Sequence, residues 1–383
     1  RTAEGTISPS MAALPLSHSL TTINAFSSSL APASNSYILS LASDSAERVL
    51  GVAGSEFDVK LYDRQSLTCV SEAGRHSGRI NELVFADTES LATPNVLYSA
   101  SSDGSVCAWD TVGGSCSAKL QVGQEEVWSV DVSAGHLLAA GTQTAVLVWD
   151  LRRTQKPLSR FEVHTEAVTQ VRFQPGSPTT LLSASIDGLL CALDCRAADE
   201  DAAVTAVHNA AAPVNVLGFF GPRPAAHVYV LTSLEHLSVW DLQQGAQLAY
   251  YDELRHQPDM EEEQPSNATN VIDYLIGCKW DEVSQRLLLL AGDYNGAVHI
   301  LAVEQSGVVA LQSLQPSTRG GHADTVRCLH WGRDSLVTGG EDARICMWRS
   351  VSGEMSSVAT ASAATSKAQV SARDATKRRH APY

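Results

Sequence analysis

Residues 335–348 read SLVTGGEDARICMW, residues 97–109 read LYSASSDGSVCAW, and residues 181–193 read LLSASIDGLLCAL. Each stretch consists of an apolar run, a short polar turn and a second apolar run. An Asp-Gly pair supplies the turn at 103–104 and at 187–188, where glycine is favoured because such tight turns need a positive φ. The pattern predicts two antiparallel strands joined by a tight turn, and it recurs along the chain.

The end of this unit recurs seven times, as KLYD at 60–63, CAWD at 107–110, LVWD at 147–150, CALD at 191–194, SVWD at 238–241, HILA at 299–302 and CMWR at 346–349. The third residues of these runs are 47, 40, 44, 47, 61 and 47 positions apart. An alternating strand follows a histidine upstream in three units: INELVF after His76, VTQVRF after His164 and VRCLHW after His322. Repeats of this size predict stacked units that bury their apolar faces against one another.

Composition narrows the class of protein. The chain has 383 residues, of which 44% are hydrophobic, so it can build a large core. Its net charge of −15 argues against a nucleic-acid binder that uses its whole surface. No uninterrupted apolar run approaches the roughly 18–20 residues of a spanning helix, so no membrane partner is predicted.

The quoted runs resemble the WD40 repeat, whose signature is a Gly-His followed after about 25–30 residues by a Trp-Asp, in units of about 40–45 residues. The resemblance covers residues 37–350 and implies an all-β, seven-bladed WD40 propeller with disordered termini. A strand near residues 18–26 is expected to complete the last blade. We therefore expect a disordered lead at 1–16 with Met11 as a candidate initiator, a propeller at 17–350, and a disordered tail at 351–383.

The resemblance also implies a buried structural tetrad within a blade. Two units carry all four residues: His76, Ser99, Asp103 and Trp109 in the second, and His322, Thr338, Asp342 and Trp348 in the seventh. The fourth unit has His164, Ser183 and Asp187, but Leu193 replaces the Trp. The other units are degenerate, and we expect packing alone to hold them. Because the His, Ser and Asp set recurs in several units, it is interpreted as structural rather than as a hydrolase triad.

No catalytic or metal motif stands out in the sequence. The phosphate-binding pattern GxxxxGK[ST], the zinc motif HExxH and the nucleophile motif GxSxG are all absent. The eight cysteines include no CxxC pair, and they are interpreted as reduced thiols of a nuclear or cytosolic protein. We therefore expect no enzyme activity, no cofactor and no bound metal.

Partner surfaces are predicted from the way blades are built. The residue after the apolar start of each innermost strand is expected to face one mouth of the channel. These residues and their neighbours in adjacent turns are Asn81, Ser102, Trp128, Thr169, Ile186, Asn215, Arg327 and Glu341. Trp128 is the preferred anchor because Trp and Arg dominate interface energetics. A further candidate is the polar, acidic insertion at 252–270, which lies between the fifth and sixth units.

Two more segments suggest specific partners. LLAAGTQTAVLVWDLR at 137–152 is similar to the box with which some WD40 proteins dock on cullin-4-type ubiquitin ligases, through Trp149, Asp150 and Arg152. Gln143 stands where that box has an acidic residue. The basic cluster Lys377, Arg378 and Arg379 is a candidate nuclear-import or RNA-contact element, and any nucleic-acid binding is expected only there.

A narrower resemblance suggests a biological role. HTEAVTQVRFQPGSP at 164–178, DYLIG at 273–277 and GGHADTVRCLHW at 320–331 look like the family of WD repeat-containing protein 89 and its plant counterparts. That resemblance implies a non-catalytic, monomeric scaffold within a larger complex, in ribosome biogenesis or another nuclear or cytosolic assembly. The alternatives are a ligase substrate receptor and a G-protein β-like adaptor. Residues 1–36 show no heptads, so they do not support the G-protein β-like alternative.

Overall fold

The protein is described by a computed structural model covering residues 20–27, 37–86, 95–197, 199–222, 225, 227–252, 254–256, 272–316, 320–333 and 335–350. The described residues form 28 strands in seven four-stranded antiparallel sheets. The predicted all-β, seven-bladed propeller is therefore confirmed. The lead at 1–16, the tail at 351–383 and nearly all of the 252–270 insertion lie outside the described residues.

The strands are numbered in chain order, and every blade but the last uses four consecutive ones. Strand β1 spans Leu20–Ser27. Blade 1 comprises β2 (Ile38–Ser43), β3 (Val49–Gly54), β4 (Asp58–Asp63) and β5 (Cys69–Arg75). Blade 2 comprises β6 (Ile80–Phe85), β7 (Val96–Ser101), β8 (Ser105–Asp110) and β9 (Ser115–Gln121). Blade 3 comprises β10 (Ser129–Val132), β11 (Leu137–Gly141), β12 (Val146–Asp150) and β13 (Ser159–Phe161).

The second half of the ring follows the same plan. Blade 4 comprises β14 (Gln170–Phe173), β15 (Thr180–Ala184), β16 (Leu189–Asp194) and β17 (Val204–Asn209), with the short helix α1 (Glu200–Ala203) before its last strand. Blade 5 comprises β18 (Val214–Phe220), β19 (His227–Thr232), β20 (Leu237–Asp241) and β21 (Ala246–Tyr251), followed by a 3-10 turn at Leu254–His256. Blade 6 comprises β22 (Tyr274–Asp281), β23 (Arg286–Gly292), β24 (Val298–Glu304) and β25 (Gly307–Leu314).

Blade 7 closes the ring with strands from both ends of the chain. Its strands β26 (Val326–Trp331), β27 (Ser335–Gly340) and β28 (Arg344–Ser350) come from the last unit, and β1 pairs with β28 as the fourth strand. The expected N-terminal strand is therefore present. The first strand of each blade contacts the first strand of the next, and β26 contacts β2.

The repeat markers occupy equivalent places in the blades. Each of the seven marker residues lies on the third strand of its blade, from Tyr62 on β4 to Trp348 on β28. The predicted turns join second and third strands, and Gly104 and Gly188 there have φ of 77° and 81°. A Cβ at residue 104 would lie 2.5 Å from the Gly123 carbonyl oxygen, so glycine is required for space as well as for φ.

The hydrophobic core lies between neighbouring blades. Between blades 2 and 3, Ala100 and Val106 pack with Val130 and Leu138, all of them fully buried. Between blades 7 and 1, the cluster joins Ile345 and Met347 to Ile38 and Leu50, among others. Each blade is thus a two-sided sheet whose faces are covered by its neighbours, which explains why strands such as LLAAG are apolar throughout.

Polar side chains from one blade also hold the innermost strand of the next. The channel edge of that strand has N–H groups without a partner in the sheet, and a side chain of the preceding blade accepts from them. The pairs are Leu83 N to Ser40 Oγ (3.1 Å), Val130 N to Glu82 Oε2 (2.9 Å), Val171 N to Ser129 Oγ (3.0 Å), Phe173 N to Asp131 Oδ2 (2.7 Å) and Val326 N to the Tyr274 hydroxyl (2.7 Å). The blades are therefore joined by hydrogen bonds around the channel as well as by apolar contact.

Candidate functional site

The blade 2 residues proposed as a tetrad form a continuous hydrogen-bonded chain. His76 Nδ1 lies 3.0 Å from Asp103 Oδ2, and His76 Nε2 lies 2.6 Å from Ser99 Oγ. The Trp109 indole N–H donates to the same Ser99 Oγ at 2.8 Å. Since Ser99 is 0% exposed, its hydroxyl is not accessible to a substrate in this conformation. The arrangement links the loop before β6 with the second and third strands of the blade, β7 and β8.

Blade 7 repeats this geometry. His322 Nδ1 lies 3.0 Å from Asp342 Oδ1, and its Nε2 lies 2.8 Å from Thr338 Oγ1. The Trp348 indole donates to Thr338 at 2.8 Å. Two blades at separate positions in the ring thus contain the same four-residue chain, as expected of a structural device rather than of an active site.

Blade 4 contains a shortened version. His164 Nδ1 lies 3.2 Å from Asp187 Oδ2, and Nε2 lies 2.9 Å from Ser183 Oγ. Leu193 fills the Trp position and is fully buried, and Ser183 donates to the Cys191 carbonyl oxygen at 3.4 Å. In blade 5 the Trp240 indole donates to Ser238 in its own strand at 2.9 Å. This bond lies within one strand, so it does not join the strands of blade 5 as the tetrads join those of blades 2 and 7.

Electrostatics keeps the histidines of blades 2 and 4 neutral. Burial lowers the pKa of His76 and of His164, and their aspartate partners offset this only in part. Burial would raise the pKa of Asp103, but hydrogen bonds from Ser105 and His76 outweigh it and hold that pKa well below its usual range. The chain is therefore an ionised carboxylate accepting from a neutral imidazole, with every polar atom engaged.

The predicted partner residues lie at one end of the innermost strands. The antiparallel register shifts at Asn81, Asn215 and Arg327, each of which bulges between paired neighbours, and Trp128 and Thr169 directly precede β10 and β14. Leu39 and Ile276 bulge at the equivalent places in blades 1 and 6. Leu39 and Ile276 were not predicted, although each follows an apolar residue at the start of its strand in the same way.

The predicted partner residues differ in exposure and in the hydrogen bonds that their side chains already make. Asn81 donates to the Val127 carbonyl oxygen at 2.8 Å and to Ser102 Oγ at 3.2 Å. Thr169 donates to the Val214 carbonyl oxygen at 2.6 Å, so both side chains bridge to the next blade. Two others are less committed, because Asn215 is exposed and Ile186 is 40% exposed.

The remaining two ring positions show different kinds of surface. Arg327 forms an ion pair with Glu341, which brings these two candidates together. Trp128 is half-buried, and its indole N–H is buried without a partner among the described residues. The mouth thus combines an aromatic side chain, aliphatic side chains and an exposed ion pair.

The candidate ligase-adaptor motif lies on the opposite face of the ring. Trp149 is buried at 2% exposure, whereas Arg152 follows the end of β12 and is exposed. Arg152 forms a bidentate ion pair with Asp150, with Nε–Oδ1 at 2.9 Å and Nη2–Oδ2 at 3.0 Å. Of these three residues, Asp150 and Arg152 can therefore contact a partner. The basic cluster at 377–379 lies outside the described residues.

One charged cluster in the channel was not predicted. Arg172 of blade 4 forms an ion pair with Glu82 of blade 2 and donates to Ser129 Oγ at 3.3 Å. Asp131 of blade 3 lies close enough that its charge acts on Arg172. Burial raises the pKa of Asp131 to about 6, although Arg172 opposes the shift. The signal in the sequence is a charged residue inside an otherwise apolar innermost strand, as in INELVF and VTQVRF.

Within the described residues, no group of three His, Cys, Asp or Glu side chains is placed to hold a metal ion. The helices of the described ranges are also too short to cross a lipid bilayer.

Comparison with known proteins identifies the repeat. The family model "WD domain, G-beta repeat" matches residues 67–110, 155–192 and 314–349. These three ranges contain the three units that have the His, hydroxyl and Asp set. The matched ranges do not include the third strands of the other blades, which share the fold.

Two curated proteins are similar over most of the chain. WD repeat-containing protein 89 homolog of Dictyostelium discoideum is 34% identical over 303 residues, which is 78% of this chain and 79% of that protein. WD repeat-containing protein GTS1 of Arabidopsis thaliana is 30% identical over 87% of this chain and 86% of its own length. A local match, 37% identical over 27% of this chain and 25% of that protein, is to Ribosome biogenesis protein WDR12 homolog of Arabidopsis thaliana.

Proposed function

Because the chain belongs to the WD40-repeat family and is similar over most of its length to WD repeat-containing protein 89 homolog, we propose that it is a non-enzymatic scaffold that assembles other proteins. The assembly proposed is one of ribosome biogenesis, in the nucleus or cytosol. The local similarity to Ribosome biogenesis protein WDR12 homolog supports this choice of process.

The observation that carries the proposal is the mouth of the channel. Residues of seven blades project there from equivalent strand starts, on a ring closed by apolar cores and hydrogen bonds between blades. Rigid presentation lowers the entropy lost when a partner binds. The buried hydroxyls of Ser99, Ser183 and Thr338 favour a structural reading of the three His, hydroxyl and Asp sets found in the described blades.

Affinity purification of the full chain from cells, followed by mass spectrometry, tests the proposal. We expect pre-ribosomal proteins to be recovered, and their recovery to fall for Asn215→Arg together with Ile186→Arg, which place bulky charge on exposed positions of the mouth. Val283→Arg is the matched control, since Val283 is 88% exposed in the turn between β22 and β23, on the other face. If neither the wild-type chain nor any variant recovers an assembly partner, the scaffold proposal is contradicted.

A second candidate is a substrate receptor of a cullin-4-type ligase, because Arg152 is exposed and is oriented by Asp150. In that case the ligase adaptor is recovered in the same experiment and is lost on Arg152→Ala. Arg160→Ala is the control, since Arg160 is an exposed arginine of the same blade that pairs with Glu162 instead. Adaptor recovery that is the same for both variants would count against this candidate.

A further inference from the structure

Loops on the channel-mouth side of blades 3 to 5 contain no lysine or arginine. The segments 122–128, 142–145, 162–169, 185–188, 210–213 and 233–236 read VGQEEVW, TQTA, EVHTEAVT, SIDG, AAAP and SLEH. All of them either lead into a first strand or connect a second strand to a third, so they share one face of the ring.

Three carboxylates in these loops are exposed and carry no ion pair among the described residues. Glu125 and Glu126 directly precede Trp128, and Glu166 lies in the loop before β14. Other acids of the same loops are already committed: Asp187 to His164, Glu162 to Arg160, and Glu235 to Arg255. The uncommitted charge of this sector is therefore negative.

Apolar side chains lie in the same loops. Ile186 is 40% exposed and Leu234 is 57% exposed, each in the turn between the second and third strands of its blade. The Ile186 N–H donates to the Ala167 carbonyl oxygen, which ties this turn to the loop that contains Glu166. We call Glu125, Glu126, Glu166, Trp128, Ile186 and Leu234 the acidic-apolar arc.

The opposite sector of the same face has a different character. Arg79 is exposed in the loop before β6, and Arg75, Arg327 and Arg344 lie near the turns of blades 1, 2 and 7, where they pair with Glu56, Glu341 and Asp342. The face is thus divided into a sector whose loops contain exposed arginines and a second sector in which, among the described residues, the charged side chains without an ion pair are acidic, because Arg160 and Arg255 pair with Glu162 and Glu235. A cationic partner is favoured on the second sector and disfavoured on the first.

We propose that the acidic-apolar arc binds an extended, Lys/Arg-rich protein segment that also contains large apolar side chains. The cations pair with Glu125, Glu126 and Glu166, and the apolar side chains contact Ile186, Leu234 and the exposed part of Trp128. An extended segment fits because these residues are spread over three blades rather than gathered in one pocket. The inference deepens the proposed scaffold function and rests on it, since it names the class of partner for one sector of the mouth.

Fluorescence anisotropy with defined peptides tests the proposal on the full chain. The probes are labelled peptides of roughly 12 residues in which Arg and Leu alternate, with matched peptides that have Glu or Ser in place of Arg, or Ser in place of Leu. We expect the Arg/Leu peptide to bind, the Glu and Ser replacements to bind at least about tenfold more weakly, and the affinity to fall as salt is raised. Equal binding of the Glu peptide would overturn the proposal.

Variants of the chain identify the surface. The triple variant Glu125→Lys/Glu126→Lys/Glu166→Lys should bind the Arg/Leu peptide about tenfold more weakly, or weaker still. The double variant Ile186→Ser/Leu234→Ser should also bind this peptide more weakly, but its affinity should still fall as the salt concentration is raised. Glu282→Lys is the control, because Glu282 is an exposed acid on the opposite face. A loss that is equal in the control and the arc variants would mean non-specific attraction to an acidic chain and would overturn the proposal.

The same variants separate this inference from the scaffold proposal. If the triple Glu→Lys chain still recovers every cellular partner of the wild type, the scaffold function stands and the arc is not its binding site. If wild type recovers no partner and binds no peptide, both proposals fail. Melting curves of each variant should match wild type, because all the substituted side chains are exposed.

Discussion

At the scale of single residues, the channel cluster shows how half-buried charges are held in an apolar ring. Arg172 would lose solvation by burial, which lowers its pKa, but Glu82 and Asp131 from two other blades raise it overall. Glu82 also accepts from Ser129 Oγ at 2.6 Å and from Val130 N at 2.9 Å. One carboxylate therefore serves both the ion pair and the backbone of the next blade.

We expect Arg172→Met to lower the free energy of unfolding by about 1–3 kcal/mol, because it leaves the half-buried Glu82 and Asp131 without their cation. The double variant Glu82→Gln/Arg172→Met should lose less than the sum of the two single losses. Chemical denaturation at pH 7.5 measures all three, and Arg160→Met, which breaks only an exposed pair, should change little. Additive losses would show that the two side chains are not coupled.

At the scale of elements, the inner and outer edge strands of a blade differ in how their free backbone groups are paired. The inner edge is satisfied by side chains of the neighbouring blade, as Ser129 does for Val171 N at 3.0 Å. The outer strand is the fourth strand of the same repeat unit in blades 1 to 6, whereas in blade 7 it is β1 from the other end of the chain. Ring closure therefore depends on one strand that is distant in sequence from its partners.

Deleting residues 1–27 removes β1 and should lower the melting midpoint by about 5–10 °C relative to deletion of residues 1–16, because β28 loses a paired strand. In limited proteolysis, the variant that lacks residues 1–27 should be cut within residues 335–350 sooner than the variant that lacks residues 1–16. A synthetic peptide of residues 17–27 added in excess should restore part of the loss by strand addition. Equal melting midpoints for the two deletions would contradict a closing role for β1.

The elements also show what sequence reasoning can and cannot find. Third strands with a Trp near their end were visible because the Trp109 and Trp348 indoles donate to a hydroxyl in a fixed register. The Glu82 to Arg172 pair was not visible, since its partners are 90 residues apart and belong to non-adjacent blades. Likewise, the exposure that separates Asn215 from Asn81 depends on hydrogen bonds across blades, which a repeat pattern does not encode.

At the scale of the whole molecule, several buried histidines make stability depend on pH. Burial lowers the pKa of His76, His164, His208 and His299. His330 on β26 is affected most, because burial first and then the positive charges of Arg64 and Lys279 lower its pKa to about 4. Asp131 acts in the opposite direction, since its pKa in the folded chain is raised to about 6.

The sign of the histidine effect follows from proton binding. An unfolded histidine binds a proton near pH 6.5, whereas folded His330 does so only near pH 4, so between these values the unfolded state holds more protons. The stabilisation is complete above pH 6.5 and is lost as the pH falls to 4. Asp131 binds its proton more readily in the folded state, so between pH 6 and about 4 it partly compensates.

We therefore expect the unfolding free energy of the chain to be steady from pH 8 to 7 and to fall below pH 6.5. In His330→Gln the fall between pH 7.5 and 4.5 should be smaller by about 2–3 kcal/mol, since that variant cannot take up the proton. In Asp131→Asn it should be larger, because the compensating proton uptake is removed. Denaturant titrations at several pH values measure these slopes, and parallel curves for wild type and His330→Gln would show that His330 does not carry the acid sensitivity of the ring.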